Sequence, residues 1–154
     1  MTLTITPADF ADRRLAVFLQ AHLHDMGPTA PPESRHALDL AALQGPDVRL
    51  WVATDSDGIA GTVALAALDG THEELKSMRT EPRARGRGIA SSLLDHALRD
   101  ARSRGVTRVS LETGSMAFFD PARGLYLKAG FVVCGPFGFY VQDPNSEFMT
   151  LTLT

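Results

Sequence analysis

The chain has 154 residues, 44% of them hydrophobic and 21% charged, with a formal net charge of −3. This length suits one domain with a core large enough to hold without disulfide or metal staples, and the composition excludes a disordered chain. A single cysteine, Cys134, excludes an intramolecular disulfide and favours a reducing, cytoplasmic setting.

The opening residues, MTLTITPADF, lack the basic start and apolar run of a signal peptide, and no apolar stretch is long enough to cross a bilayer. Leu3 to Ile5 alternates as a short strand. Thr6-Pro7-Ala8-Asp9 reads as a helix start, with Thr6 as N-cap, Pro7 at the first helical position and Asp9 as a capping-box acid. Leu15, Phe18, Leu19, His22 and Met26 recur at helical spacing until Gly27-Pro28 stops the helix. A proline-rich connector from Thr29 to Pro32 precedes a second helix predicted over Glu33 to Leu43. Strands are predicted at Val48 to Thr54 and Ile59 to Leu68, joined through Asp57-Gly58, and at His72 to Thr80. Ile89, Ala90, Leu93, Leu94, Ala97, Leu98 and Ala101 form one apolar helical stripe, ended by Gly105. A strand from Val106 to Leu111, a helix from Pro121 to Ala129, and strands at Phe131 to Cys134 and Phe148 to Leu153 complete the chain. Without repeats or long linkers, the pattern implies one domain over 1–154, an α/β or α+β arrangement of a mixed sheet and flanking helices.

The charge is unevenly distributed. Arg79 to Arg108 holds eight arginines against three acids, a net +5 that leaves −8 for the rest. A basic island in an acidic protein points to a local anionic ligand and away from nucleic acid, which calls for an overall basic domain. Within the island, Arg83-Ala84-Arg85-Gly86-Arg87-Gly88-Ile89-Ala90 lies between a strand and a long helix. Two glycines permit a sharp turn and close approach, and the first N–H groups of the helix face whatever lies above them. A pyrophosphate suits that position, with arginines alongside. The Gly-Lys-Ser/Thr ending of a Walker loop is absent, and the spacing does not fit the Rossmann fingerprint.

The spacing Arg-x-x-Gly-x-Gly, following Glu74-Leu75-Lys76-Ser77-Met78-Arg79-Thr80-Glu81-Pro82, resembles the acetyl-CoA-binding motif of the GNAT family of N-acetyltransferases. Leu125-Tyr126-Leu127-Lys128-Ala129-Gly130-Phe131 resembles that family's later helix-to-strand block, and the flanking runs resemble a small stand-alone bacterial subgroup. The resemblance implies a mixed, mostly antiparallel sheet with splayed central strands, and direct acetyl transfer from acetyl-CoA to a primary amine of a small molecule or peptide. It also allows a homodimer. A non-catalytic acyl-CoA-binding regulatory domain is the alternative.

By the same resemblance, the backbone N–H of Met78 in a bulged strand would hold the thioester carbonyl. Arg79 and Thr80 would line the pantetheine arm, and Arg83, Arg85, Gly86, Arg87, Gly88, Ile89 and Ala90 would surround the pyrophosphate. Tyr126 falls where the family places an acid for the departing thiolate, its ordinary pKa near 10 lying above that of a thiol near 8.5. Glu74 falls where many members place a base; on a regular strand it would share a face with Lys76 and Met78. Phe119 stands where many members have Asn, which implies either an apolar wall against the pantetheine or a different course for the loop from Gly114 to Asp120. On the acceptor side His36 and Tyr140 are the candidate contacts. No Cys or carboxylate cluster accompanies His22, His24 and His36, so no metal is expected.

Overall fold

The strands are β1 (Thr4–Pro7), β2 (Val48–Asp55), β3 (Gly58–Ala67), β4 (His72–Thr80), β5 (Arg108–Gly114), β6 (Val132–Cys134) and β7 (Ser146–Thr152). Among the described residues four α-helices accompany them: α1 (Arg13–Met26), α2 (Leu40–Leu43), α3 (Ile89–Ser103) and α4 (Asp120–Ala129). The computed structural model describes residues 2–26 and 40–153, with side chains described for 2–21 and 41–153. Over these residues the strands form one sheet in the order β1-β2-β3-β4-β5-β7-β6. Every neighbouring pair is antiparallel except β4 and β5. The long connection through α3 makes that parallel pairing feasible.

Alternation along the strands sorts the side chains into two layers. Trp51, Val63, Leu65, Leu75, Val109, Leu111 and Met149 turn to one face, where they meet the apolar stripe of α3 and Tyr126 and Phe131 from the α4 end. On the other face Leu50, Val52 and Ala64 meet Leu15, Phe18 and Leu19 of α1 and Leu43 of α2. Farther along that second face the sheet is polar. Its surface on β4 and β5 carries His72, Glu74, Lys76, Ser110 and Glu112, and the 135–145 connection packs Phe137 and Tyr140 over it, against Phe148.

The predicted first helix start is corrected. Thr4–Pro7 pairs with Trp51–Thr54, and Pro7 is tolerated because β1 is an outer strand. Ladder pairing overrides the local capping pattern, and α1 begins at Arg13. Asp9 and Asp12 instead accept backbone N–H bonds from Ala11 and Arg14, each at 2.9 Å. The Gly27-Pro28 stop, and Glu33 to Asp39 of the predicted second helix, lie outside the described residues. The hairpin turn is at the expected place, with Asp55 opposite Gly58 and the Asp57 N–H bonded to Asp55 Oδ1 at 2.8 Å.

Candidate active site

The centre of the sheet splits. β4 and β5 pair only from His72 to Leu75 against Arg108 to Leu111; beyond this both strands continue without facing one another in the ladder. Glu74 stands beside Ser110 at the end of the paired stretch, and Lys76 at the mouth of the split. The residues from Ser77 to Thr80 run along its open arm.

A bulge breaks β4 on that arm. Lys76 pairs with Ala64 and Arg79 with Thr62, so β4 has two residues where β3 has one. Ser77 adopts φ +53°, the left-handed conformation that is uncommon outside glycine. The fully buried Thr62 holds it there by donating from Oγ1 to the Ser77 carbonyl at 2.8 Å. The bulge inverts the alternation after Lys76 and corrects the expectation for a regular strand. Met78 packs into the α3 layer, and Arg79 shares the face of Glu74 and Lys76, with its guanidinium over the Phe18 ring at 5.6 Å.

β4 then leads into a short 3-10 turn at Pro82–Ala84 and the glycine-rich segment. Gly86 and Gly88 have φ of +81° and +78°, conformations that other residues adopt at a cost. A β-carbon on either would meet nothing within 4 Å, so the backbone lies open on that side. Among the described residues no side chain caps the N-terminus of α3. A turn with bare N–H groups at a 15-residue helix, flanked by the exposed Arg85 and Arg87, fits a phosphate-bearing ligand. Arg83 is turned elsewhere. It makes two bonds to Asp55, at 3.0 and 3.1 Å, and a third to the Ile59 carbonyl at 3.2 Å, which ties the turn to the β2–β3 hairpin. That pairing holds the Asp55 carboxyl below its ordinary range, the side-chain bond from Arg83 being the main cause.

The two adjacent acids of β4 separate. Glu73 receives both terminal nitrogens of Arg104 at 2.8 Å, which joins β4 to the end of α3 and raises the Arg104 pKa. Glu74, on the other face, accepts from the Tyr140 hydroxyl at 2.5 Å and from Lys76 Nζ at 3.1 Å, both at Oε2, while Lys76 also donates to Tyr140 Oη at 3.0 Å. The three groups are largely buried. Burial, then the neighbouring Glu74 charge, pushes the Tyr140 phenol far above the ordinary range, so it stays protonated and donating. Beside them His72 Nε2 lies 2.6 Å from Ser110 Oγ, which is 2.9 Å from Thr150 Oγ1. Burial lowers the His72 pKa, which leaves the ring neutral at neutral pH.

Tyr126 is 5% exposed, against Phe131 in the α3–α4 layer, and its hydroxyl has no hydrogen-bond partner among the described residues. Burial raises its pKa too, so the phenol keeps its proton across the working range. Phe119 lies over Gly114 so closely that a β-carbon there would sit 2.1 Å from its ring. Arg123 fixes this stretch by bonding the Gly114 carbonyl, the Met116 carbonyl at 3.1 Å and Asp120. His36 lies outside the described residues, as do the side chains of His22 and His24. Among the described residues no group of His, Cys, Asp or Glu could hold a metal ion, and no helix is long and apolar enough to cross a membrane.

Residues 16–131 match the model of the Acetyltransferase (GNAT) family. The chain belongs to this family. A GNAT relative from Bacillus subtilis, named as the uncharacterized N-acetyltransferase YsnE, is 48% identical over 145 residues, covering 94% of this chain and 96% of that one. The crystal structure of a candidate acyl-CoA N-acyltransferase from Klebsiella pneumoniae is 27% identical, with a TM-score of 0.82 over 99% of each chain. An aminoglycoside 6′-N-acetyltransferase solved with coenzyme A shares the fold, with a TM-score of 0.72 over 97% of this chain and 96% of that one at 19% identity. This GNAT protein is therefore an acetyl-CoA-dependent N-acetyltransferase with the mixed, mostly antiparallel sheet of its family.

Thr62, Asp55 and the contribution of Lys76 are not evident from the sequence. Thr62 left one signal, a single hydroxyl inside the apolar run Ile59 to Ala67. Asp55 and Lys76 depend on partners brought in by the fold.

Proposed function

We propose that the protein transfers acetyl from acetyl-CoA directly to the primary amine of a small molecule or peptide, in one ternary complex and without a metal. One observation carries this reading: the split in the sheet has the bulge and Thr80 along one arm, the uncapped glycine turn at its end and Glu74 at its apex.

The thioester supplies the activated acetyl group. Along the arm, the Met78 N–H is the donor for the carbonyl oxygen, with the backbones of Arg79 and Thr80 beside the pantetheine and Phe119 as an apolar wall. Arg85, Gly86, Arg87, Gly88, Ile89 and Ala90 hold the pyrophosphate, the N–H groups of α3 supplying direction and the arginines charge. Arg83 supports this turn through Asp55. Glu74 Oε1 takes the proton from the incoming ammonium, directly or through water, and the Tyr126 hydroxyl gives its proton to the departing thiolate. The acceptor enters on the polar face near Tyr140, in a cytoplasmic setting.

A thiol-release assay with acetyl-CoA across amino acids, polyamines, aminoglycosides and peptides tests the reading. At least one amine class should release thiol in proportion to acetylated product. Failure of acetyl-CoA to stabilise the protein in a thermal shift would overturn the whole reading; stabilisation without release against any amine would overturn its catalytic part.

A further inference from the structure

Glu74, Lys76 and Tyr140 form a closed triangle, with sides of 2.5, 3.0 and 3.1 Å between Tyr140 Oη, Lys76 Nζ and Glu74 Oε2. Tyr140 comes from a different part of the chain, the connection between β6 and β7. Its ring is wedged between Phe137, at 5.2 Å, and Phe148, at 5.5 Å, so the hydroxyl has little freedom to leave the carboxylate. Phe137 also packs on His72 at 6.0 Å, and the Tyr140 N–H bonds the Phe137 carbonyl at 3.0 Å. Both donors fall on Oε2, and Oε1 receives no hydrogen bond from the described residues. Among the described residues the charged and titratable groups around the triangle include His72 on β4, and Arg108 and Glu112 on β5.

From this arrangement we propose that Tyr140, with Lys76, is a positioning residue for the transfer reaction: the two clamp Glu74 by one oxygen so that the other is presented at the apex of the split. This rests on the reading of Glu74 as the base. Three features support a clamp over an ordinary surface pair. A carboxylate on a long side chain has several rotamers, and a mobile base loses the advantage of fixed geometry. Buried charge-assisted bonds of this length are strong and directional. The Lys76 Nζ, 3.1 Å from Oε2, places an opposite charge against the same oxygen that Tyr140 holds. Within the triangle the Tyr140 proton stays on its oxygen, while Glu74 Oε1 takes a proton from the ammonium and releases it to solvent.

A double-mutant cycle tests this with the acceptor amine found by thiol release. Tyr140→Phe keeps the ring stack and removes one donor, and should lower kcat by about tenfold, the loss expected of a misplaced base, with the KM for acetyl-CoA unchanged. Glu74→Gln should lower kcat at least as much, and Tyr140→Phe should then cost little more in that background, because its effect runs through Glu74. Multiplicative losses, or full turnover in Tyr140→Phe, would overturn the clamp alone. Full turnover in Glu74→Gln would overturn the base assignment and the clamp with it.

A second measurement needs no acceptor. The chain has two tyrosines, so Tyr126→Phe leaves Tyr140 as the sole phenol. Its ultraviolet phenolate transition should lie well above the ordinary value near 10, and Glu74→Gln should bring it down by about one pH unit, the worth of one charge-assisted bond. An unmoved transition would show that the two groups are not bonded in solution and would overturn the proposal.

Discussion

Thr62→Val is the most informative single change, because it is nearly isosteric and removes only the hydroxyl that holds the β4 bulge. In the native protein Thr62 is fully buried, and Oγ1 donates to the Ser77 carbonyl at 2.8 Å. Valine leaves that carbonyl without this donor, in a segment whose Ser77 already sits at φ +53°. Leaving this partly buried acceptor without its donor costs about 1–3 kcal/mol. At about 2–4 °C per kcal/mol for a domain of this size, a central loss of 2 kcal/mol lowers Tm by roughly 4–8 °C. If the bulge relaxes toward regular pairing, the alternation of β4 is restored and the Met78 N–H turns away from the position proposed for the thioester carbonyl. Removing one oxyanion donor costs about 10²–10³ in kcat. The two effects are separable: differential scanning calorimetry gives the stability loss, and steady-state kinetics below the transition gives the catalytic loss. Thr62→Ser, which keeps the hydroxyl, should retain most of the activity despite the lost methyl. A Thr62→Val protein with wild-type kcat would refute the argument that this hydroxyl sets the reacting geometry, even if its Tm fell as calculated.

Gly88→Ala meets no neighbouring atom but must hold φ +78°, which costs about 1–2 kcal/mol. Gly105→Ala, at φ +84° near the far end of α3 and equally unobstructed, should cost about the same by chemical denaturation. Only the first should raise the KM for acetyl-CoA. Tyr126→Phe removes a hydroxyl with no partner among the described residues, so it should change stability by less than about 1 kcal/mol. It should lower kcat by about 10²-fold if the phenol is the acid, and unchanged turnover would remove that role. The depressed His72 pKa makes stability pH-dependent: the unfolded chain binds the proton more readily, so the His72 contribution is complete above about 6.5 and is lost as pH falls through the lower folded value. Urea midpoints measured downward from pH 7 should fall in wild type and fall less in His72→Gln.

Where periodicity and punctuation agreed, the fold was legible in the sequence. The α3 stripe, closed by Gly88 and Gly105, lies where the spacing places it, and β4 spans the predicted His72 to Thr80. Local signals failed where distant pairing competed, as at Pro7, which the sheet claims from the helix. The glycine turn was also legible, because positive φ and an uncapped helix end are local properties. The Tyr140–Glu74 bond was not, since 66 residues separate its ends and no local pattern selects that tyrosine. Nor could residue types alone decide between Glu73 and Glu74. Strand pairing gives one to Arg104 and the other to the cleft, and only the bulge explains why Arg79, not Met78, joins the cleft face.

The split between β4 and β5 has a further consequence for self-association. Two strand edges with incomplete pairing would ordinarily invite strands from other molecules, and the usual protections are charge, proline or extreme shortness. The outer strands use the last two: β1 has four residues ending in Pro7, and β6 has three. The inner edges need neither. Each is hydrogen-bonded along its other side, to β3 or to β7, and an intruding strand would have to enter a wedge closed at one end by the His72–Leu75 pairing. The opening proposed for the donor is therefore also a poor template for strand addition by a second copy of the chain.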